Sequence, residues 1–323
     1  MMTDCRQTGL APRWNNLPFQ DGIFARRSPI NLATANQCFI ITVMLRVRKK
    51  CLYLLACAVF LTPVPGWAAS AGLAPHKAIY DIKMVSRHSG AQVLNISGQM
   101  MFEGKITCDA WTTDHRFKLL YEYADAVPMR ITSDFSTYES MDGKDFSFTS
   151  RRERNGELFE EVRGHAILDK DNKGEALFSL PDGLKFDLAS GTMFPISHTQ
   201  ALLQNVNAGK KFFSTTVFDG SDQDGPVEIN AFIGKPVANI KSILSPVEAI
   251  DKMLVASPAH NVRMAFFPLN RQESEADYEM DIVLHDNGII SDMLVDYGDF
   301  SVTQKLVALE KLDVPACGTQ KAK

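Results

Sequence analysis

Residues 130–162 read RITSDFSTYESMDGKDFSFTSRRERNGELFEEV, and this stretch contains the pattern that decides the fold. Apolar and polar side chains alternate over 130–138, which is typical of a strand with one buried face. Asp142-Gly143 and Asn155-Gly156 then separate this strand from two further strand-like runs. Such pairs accept the positive φ angles of tight turns, so the stretch predicts three consecutive antiparallel strands.

The same alternation extends outward from this stretch. Strand-like runs lie at 78–85, 93–100 and 117–123, and further turn pairs occur at Asp182-Gly183, Asp219-Gly220, Asp224-Gly225 and Asn287-Gly288. The chain is therefore predicted to be all-β, mainly an antiparallel meander. A meander this long has to close, curl or stack in order to hide its edge strands.

Two segments depart from the alternation and predict one or two short helices. Residues 197–206 place apolar side chains at helical spacing, and Gly209 follows shortly afterwards. Residues 245–255 begin with Ser-Pro-Val-Glu, which combines a capping serine with proline at the first helical position. We expect both helices to cover a face of the sheet rather than to carry chemistry.

A secretory signal peptide is predicted at 44–71. Basic residues at 46–50 precede an apolar run at 51–61, and Ala69-Ser70-Ala71 supplies a small-residue cleavage pattern. Residues 1–43 have no apolar periodicity, so we interpret them as a disordered extension from a start codon assigned too far upstream. Residues 72–323 are then expected to be exported to the periplasm as a single domain.

Two alternatives concern how the protein is held after export. Leu54-Leu55-Ala56-Cys57 resembles a lipoprotein signal, and cleavage before Cys57 would anchor the protein through a lipid. A transmembrane anchor would need about 20 apolar residues, and this run is shorter and ends in prolines.

Charge limits the partners that can be expected. The chain has 34 basic residues (Lys and Arg) and 38 acidic residues (Asp and Glu). Residues 1–69 contain 8 of the basic and 2 of the acidic residues. The remaining chain therefore has 26 basic and 36 acidic residues, which is a net charge of −10. So acidic a protein argues against binding to nucleic acid or to an anionic membrane surface, since both need a cationic footprint. We expect no nucleic-acid partner.

Cys108 and Cys317 are the two cysteines that remain after the predicted processing. Two cysteines in an oxidising compartment favour one disulfide. Two unpaired, buried thiols are the alternative.

The residues suggest no catalytic chemistry. The chain has no G-x-S-x-G elbow, H-E-x-x-H motif or phosphate-binding loop, and its histidines lack ligand spacing. The loop 219–225 resembles a calcium loop, but Asp224 and Asn230 stand where glycine and a bidentate glutamate belong. We therefore expect no catalytic residue, metal or cofactor. A catalytic triad formed by residues that are distant in the sequence is the alternative.

Several motifs occur in a fixed order between residues 75 and 317. They are His76-Lys77-Ala78-Ile79-Tyr80, Cys108-Asp109-Ala110-Trp111, Phe194-Pro195-Ile196-Ser197-His198, Val217-Phe218-Asp219-Gly220, Ile233-Gly234-Lys235, Asp296-Tyr297-Gly298-Asp299-Phe300 and the final Cys317. Together they resemble the EipB family, the cell-envelope integrity proteins of alphaproteobacteria.

This resemblance implies a fold and a physiological role. It implies a β-spiral, in which a long antiparallel sheet curls around a helix and is locked by a disulfide between Cys108 and Cys317. It also implies a role in maintaining the envelope under stress, with no assigned enzymatic activity. The motif residues are interpreted as structural or partner-binding: Trp111, Asp219, Gly220, Asp296, Tyr297, Gly298, Asp299 and Phe300. In the structural interpretation, Gly298 permits a bend beside Tyr297 and Phe300, and Trp111 packs against the disulfide. A ligand contact through Tyr297 or Asp299 is the alternative.

Three functions are compatible with these features. The leading hypothesis is a non-enzymatic, monomeric periplasmic protein that maintains envelope integrity through protein or cell-wall partners. The second is a lipid or lipoprotein carrier, in which a concave sheet holds a ligand against Met100, Met101, Phe102, Phe212 and Phe213. The third is a hydrolase of envelope polymers that uses paired carboxylates.

Overall fold

The computed structural model of the chain describes residues 72–240, 249–269 and 275–317. The predicted extension at 1–43, the signal peptide at 44–71 and Cys57 lie outside the described residues. The first half of the described fold is a run of eight strands: β1 (His76–Arg87), β2 (Val93–Ile106), β3 (Ala110–Tyr123), β4 (Met129–Ser140), β5 (Asp145–Arg154), β6 (Glu157–Leu168), β7 (Gly174–Leu180) and β8 (Lys185–Leu188).

The helix α1 (Pro195–Asn207) follows, and then six strands: β9 (Phe212–Val217), β10 (Val227–Pro236), β11 (Ala259–Pro268), β12 (Tyr278–His285), β13 (Ile290–Asp296) and β14 (Phe300–Lys311). All fourteen strands form one antiparallel sheet in the order β8-β7-β6-β5-β4-β3-β2-β1-β14-β13-β12-β11-β10-β9. The all-β prediction is confirmed. α1, the only helix in the described part of the chain, is too short to cross a membrane.

The first and last strands meet in the middle of the sheet, and consecutive strands β8 and β9 form its two edges. β1 pairs with β2 on one side and with β14 on the other. The segment between β8 and α1 joins the edges, because Thr192 N donates to Asn172 O (3.2 Å) and Met193 N donates to Thr216 O (2.9 Å). The sheet therefore curls until its two edges approach each other.

A cluster of phenylalanines fills the space where the edges approach. Phe146 and Phe148 of β5 pack with Phe178 of β7 and with Phe218, which directly follows β9. The rings of Phe148 and Phe218 are 5.5 Å apart, and both side chains are buried. Arg152 Nη2 adds a polar contact by donating to Ser221 O (3.1 Å).

A buried carboxylate on the sheet holds the beginning of α1. Phe194 occupies the N-cap position and provides no side-chain cap. Glu139 of β4 instead accepts hydrogen bonds from Ile196 N (2.7 Å), Ser197 N (2.8 Å) and Ser197 Oγ (2.6 Å). Burial raises the pKa of the Glu139 carboxyl, although these three donors oppose the rise. A negative charge at a helix N-terminus is stabilising, so Glu139 fixes α1 against the inner face of the sheet.

The second predicted helix, over 245–255, is wrong for the part that the structure describes. From residue 249 the chain forms turns, and Ile250 forms a parallel bridge with Leu309 of β14. β13 pairs with β14 only over 301–305, which leaves the end of β14 open on that side. Backbone hydrogen bonds to Leu309 therefore replace the helical ones. Residues 245–248 lie outside the described residues.

Candidate functional site

An apolar cavity of about 360 Å³ lies between α1 and the inner face of the sheet. The strands contribute, among others, Met100, Phe102, Trp111, His115, Phe135 and Met293. α1 contributes Pro195, Ile196 and Thr199 from its first two turns. The cavity therefore depends on the position of α1, which Glu139 sets.

A row of aromatic rings crosses four strands on the wall of this cavity. The register places Phe102 opposite His115 and His115 opposite Phe135. Neighbouring ring centroids are 4.9 Å apart for His76 and Phe102, 4.9 Å for Phe102 and His115, and 5.8 Å for His115 and Phe135. Cross-strand pairs of this kind stabilise a sheet, so the row also stabilises this part of the wall.

The polar groups on the wall are uncharged. Burial lowers the pKa of His115 to about 4, so its imidazole is neutral near pH 7. Gln304 is buried, and its Oε1 has no hydrogen-bond partner among the described residues. Thr113 and Thr137 bond each other (2.7 Å), and Tyr80 OH donates to Ile290 O (2.8 Å). No Asp, Glu, Lys or Arg lines the cavity in the described part of the chain.

The carrier hypothesis named five lining residues, and two of them line the cavity. Met100 and Phe102 do so. Met101 does not line it, Phe212 is exposed and Phe213 stacks on His198. Trp111, which was expected to have a structural or partner-binding role, is buried in the cavity wall.

The sequence pattern did not identify His115 and Gln304 as cavity residues. Both lie at strand positions that face the inside of the curled sheet. Such inward-facing positions are mostly apolar, and they alternate along the strand with positions that face outward. A polar residue at such a position was the available signal, but it is equally compatible with a satisfied core residue.

The turn between β13 and β14 carries the motif Asp296-Tyr297-Gly298-Asp299-Phe300, whose first and last residues belong to the strands. None of these residues lines the cavity. Gly298 N donates to Asp296 Oδ1 (3.0 Å), and Tyr297 N donates to Phe300 O (3.0 Å). The Tyr297 ring lies 5.9 Å from that of Tyr278 and 5.1 Å from that of Phe300. Asp299 contributes its carbonyl oxygen to His88 N (2.8 Å). Backbone hydrogen bonds and ring packing therefore hold this turn in place.

Asp219 and Gly220 begin the loop that follows Phe218. Asp219 Oδ1 accepts from Ser221 N (2.9 Å), and Asp222 Oδ1 accepts from Asp224 N (2.8 Å). Burial and the neighbouring Asp219 raise the pKa of Asp222. These carboxylates close local turns, and no group of three or more metal-ligating side chains was found among the described residues.

Cys108 and Cys317 form a disulfide with a Cα–Cα distance of 5.4 Å. The topology brings them together, because His76 pairs with Lys311 near the end of β14 and with Gly104 near the β2–β3 turn. The bond therefore attaches the C-terminal segment to the cavity end of β2 and β3.

One serine–histidine pair resembles part of a catalytic triad, but a substrate cannot reach it. His285 Nε2 lies 3.0 Å from Ser291 Oγ. The two residues are only 0% and 2% exposed, and neither lines the cavity. We interpret the pair as a satisfied core hydrogen bond.

Acid is expected to destabilise the protein through the half-buried His115 and the buried His198. Burial lowers the pKa of both His115 and His198 to about 4, below the ordinary value of 6.5. The unfolded chain then binds more protons than the folded one, so stability is complete above pH 6.5 and falls towards pH 4. The loss is about 3 kcal/mol for each histidine as an upper limit.

Urea unfolding between pH 7 and pH 4 measures this loss. His115→Phe, which keeps an aromatic ring between Phe102 and Phe135, should make the pH dependence shallower, whereas exposed His165→Phe should not. Equal pH dependence in His115→Phe and the wild type would contradict the assignment.

The fold and the cavity define a class of protein: one curled antiparallel sheet around a helix, with an apolar cavity and a disulfide. The chain belongs to the EipB-like family, whose family model matches residues 67–313. It is 34% identical over 250 residues to the cell envelope integrity protein EipB of Brucella abortus (strain 2308), over 76% of this chain and 87% of that protein.

A solved structure supports the same fold. The crystal structure of a beta-barrel-like protein of the domain of unknown function DUF1849, from Brucella abortus, matches with a TM-score of 0.68 and 32% sequence identity. The match covers 75% of this chain and 99% of that one.

Proposed function

We propose that this protein works in the periplasm and supports cell-envelope integrity by holding the apolar chain of an envelope lipid or lipoprotein. The observation that carries the proposal is the cavity of about 360 Å³ with its uncharged lining. The similarity to a protein named for cell envelope integrity supports the envelope role. The predicted export signal and the disulfide support the compartment.

The size and the lining of the cavity suit an acyl chain. Small-molecule sites have volumes of about 300–1,000 Å³ and mostly apolar walls. Met100, Met280 and Met293 line the cavity, and flexible thioether side chains adapt well to an irregular chain. A charged headgroup would have no partner inside, and an unpaired buried charge is costly. The headgroup should therefore stay outside the cavity.

The lining also supports binding rather than hydrolysis. The lining residues within the described ranges include no carboxylate, cysteine or serine, and the hydroxyl groups of the lining threonines and of Tyr80 form hydrogen bonds with other protein groups. Acid–base and nucleophilic catalysis usually depend on these groups or on a histidine partnered with one of them. The neutral imidazole of His115 is instead suited to bonding an ester or amide group of the chain.

A blocked cavity should lose its ligand. Thr199→Trp places a large ring at a position of α1 that lines the cavity, whereas Gln204→Trp changes an exposed position of the same helix. We expect Thr199→Trp to weaken binding of a fluorescent fatty acid to delipidated protein by about tenfold or more, about 1.4 kcal/mol. Gln204→Trp should bind like the wild type.

Two readouts can overturn the proposal. If delipidated wild-type protein binds no fatty-acid probe, and mass spectrometry finds no co-purifying lipid, the cavity is not a lipid site. The envelope role fails separately if a deletion strain resists detergents and cell-wall antibiotics as well as the parent strain does. Complementation by Gln204→Trp but not by Thr199→Trp would link the two properties.

A further inference from the structure

Two aromatic side chains lie exposed at one corner of the sheet. Phe212 begins the edge strand β9 and pairs directly with Phe232 of β10. Their ring centroids are 5.1 Å apart, and the residues are 49% and 54% exposed. Single exposed apolar residues are ordinary, but an adjacent pair of large rings at a sheet edge is a candidate contact surface.

Three lysines lie close to these two phenylalanines along the strand pair. Lys210 and Lys211 directly precede Phe212, and Lys211 O accepts from Ile233 N (2.9 Å), so the lysines lie at the same end of the strand pair as Lys235. All three are exposed, and none forms an ion pair with another described residue. We call these five residues, Lys210, Lys211, Phe212, Phe232 and Lys235, the lysine–phenylalanine patch.

The patch interrupts an otherwise acidic protein. Residues 188–218 and 229–247 contain no Asp or Glu, whereas residues 70–323 as a whole carry a net charge of −10. The net charge of the chain argued against an anionic surface as a partner, but it conceals this local cationic footprint. Repulsion between the acidic remainder of the protein and an anionic surface would favour orientations in which this corner faces that surface.

We propose that the lysine–phenylalanine patch docks the protein on the surface of an anionic phospholipid bilayer. The two rings would enter the headgroup region, and the three ammonium groups would contact lipid phosphates. This combination of apolar side chains and basic residues is the one that holds peripheral proteins at membrane interfaces. The proposal does not depend on the cavity, and it explains why two phenylalanines remain exposed beside lysines that form no ion pair with another described residue.

Sedimentation with lipid vesicles tests the proposal on the processed, full-length domain. We expect wild-type protein to bind vesicles of phosphatidylglycerol and phosphatidylethanolamine, and to bind phosphatidylcholine vesicles much less. Because the lysine contacts are electrostatic, about 0.5 M salt should reduce this binding strongly. Phe212→Ser/Phe232→Ser and Lys210→Gln/Lys211→Gln/Lys235→Gln should each lower the partition coefficient by about tenfold or more.

Matched substitutions elsewhere serve as controls. Val127→Ser and Lys118→Gln change an exposed apolar and an exposed basic residue outside the patch and should bind vesicles like the wild type. Thr199→Trp should also bind vesicles normally, and the patch variants should bind the fatty-acid probe normally. Failure of the docking proposal and failure of the cavity proposal are therefore distinguishable.

Three outcomes would overturn the proposal. Absence of wild-type binding to anionic vesicles is one, and this result needs no variant that has to fold. Binding that the patch variants retain is another. The third is a wild-type dimer in light scattering that the patch variants dissociate while vesicles remain unbound, since a second copy would then cover the β9 edge.

Discussion

Gly220→Ala is expected to destabilise the protein by about 2–5 kcal/mol and to lower its Tm by about 10 °C. Gly220 has a φ angle of +64°, which is unfavourable for any residue with a Cβ atom. A Cβ atom at this position would also overlap the ring of Phe148, which is 2% exposed within the phenylalanine cluster. The substitution therefore combines backbone strain with overpacking where the edges of the sheet approach.

Gly209→Ala is the matched comparison for this experiment. Gly209 also has a positive φ angle, +69°, but a Cβ atom there would meet nothing within 4 Å. Gly209→Ala should therefore lower the free energy of unfolding only by the cost of the left-handed backbone, about 1–2 kcal/mol. Thermal unfolding followed by circular dichroism measures both variants. Equal losses in the two variants would show that the ring of Phe148 moves to accommodate the extra atom and that overpacking does not contribute.

Replacing both Cys108 and Cys317 with serine is expected to cost about 2–5 kcal/mol of unfolding free energy. The disulfide joins residues separated by 209 positions, so its removal frees a very long loop in the unfolded chain. In the folded state it attaches the segment after β14 to the β2–β3 turn beside Trp111. Both the stability and the cavity end of the sheet should therefore respond.

Urea unfolding with and without reductant tests this prediction. Reductant should shift the wild type towards the double serine variant and should leave that variant unchanged. A wild type that is equally stable in both conditions would show that sheet pairing alone holds the C-terminal segment. Fatty-acid binding by the variant would then report whether the cavity needs the disulfide.

The hairpins were predictable because their signals are local. Asn155 and Gly156 both have positive φ angles, as their turn requires, and β5 and β6 pair on either side of them. α1 was predictable from helical spacing, and its buried face includes Leu202, Leu203 and Val206. Each of these predictions depends on residues that are close together in the chain.

The second helix shows how tertiary structure can override a local signal. The Ser-Pro-Val-Glu pattern favours a helix start, but the residues on either side of Ile250 form backbone hydrogen bonds with Leu309 on the open side of β14. The sequence contained no indication that this side would be open. Whether β13 reaches the end of β14 is decided by pairing between distant strands.

The sequence by itself determined the all-β class, the hairpins, the helix α1 and the pair of cysteines available for a disulfide. The tertiary structure alone decided that β1 pairs with β14, that α1 lies against the inner face of the sheet and that His115 and Gln304 line a cavity. The physical reason is the distance along the chain over which each interaction acts. Turns and periodicity act over a few residues, whereas the β1–β14 register joins residues such as His76 and Lys311, for which no local pattern exists.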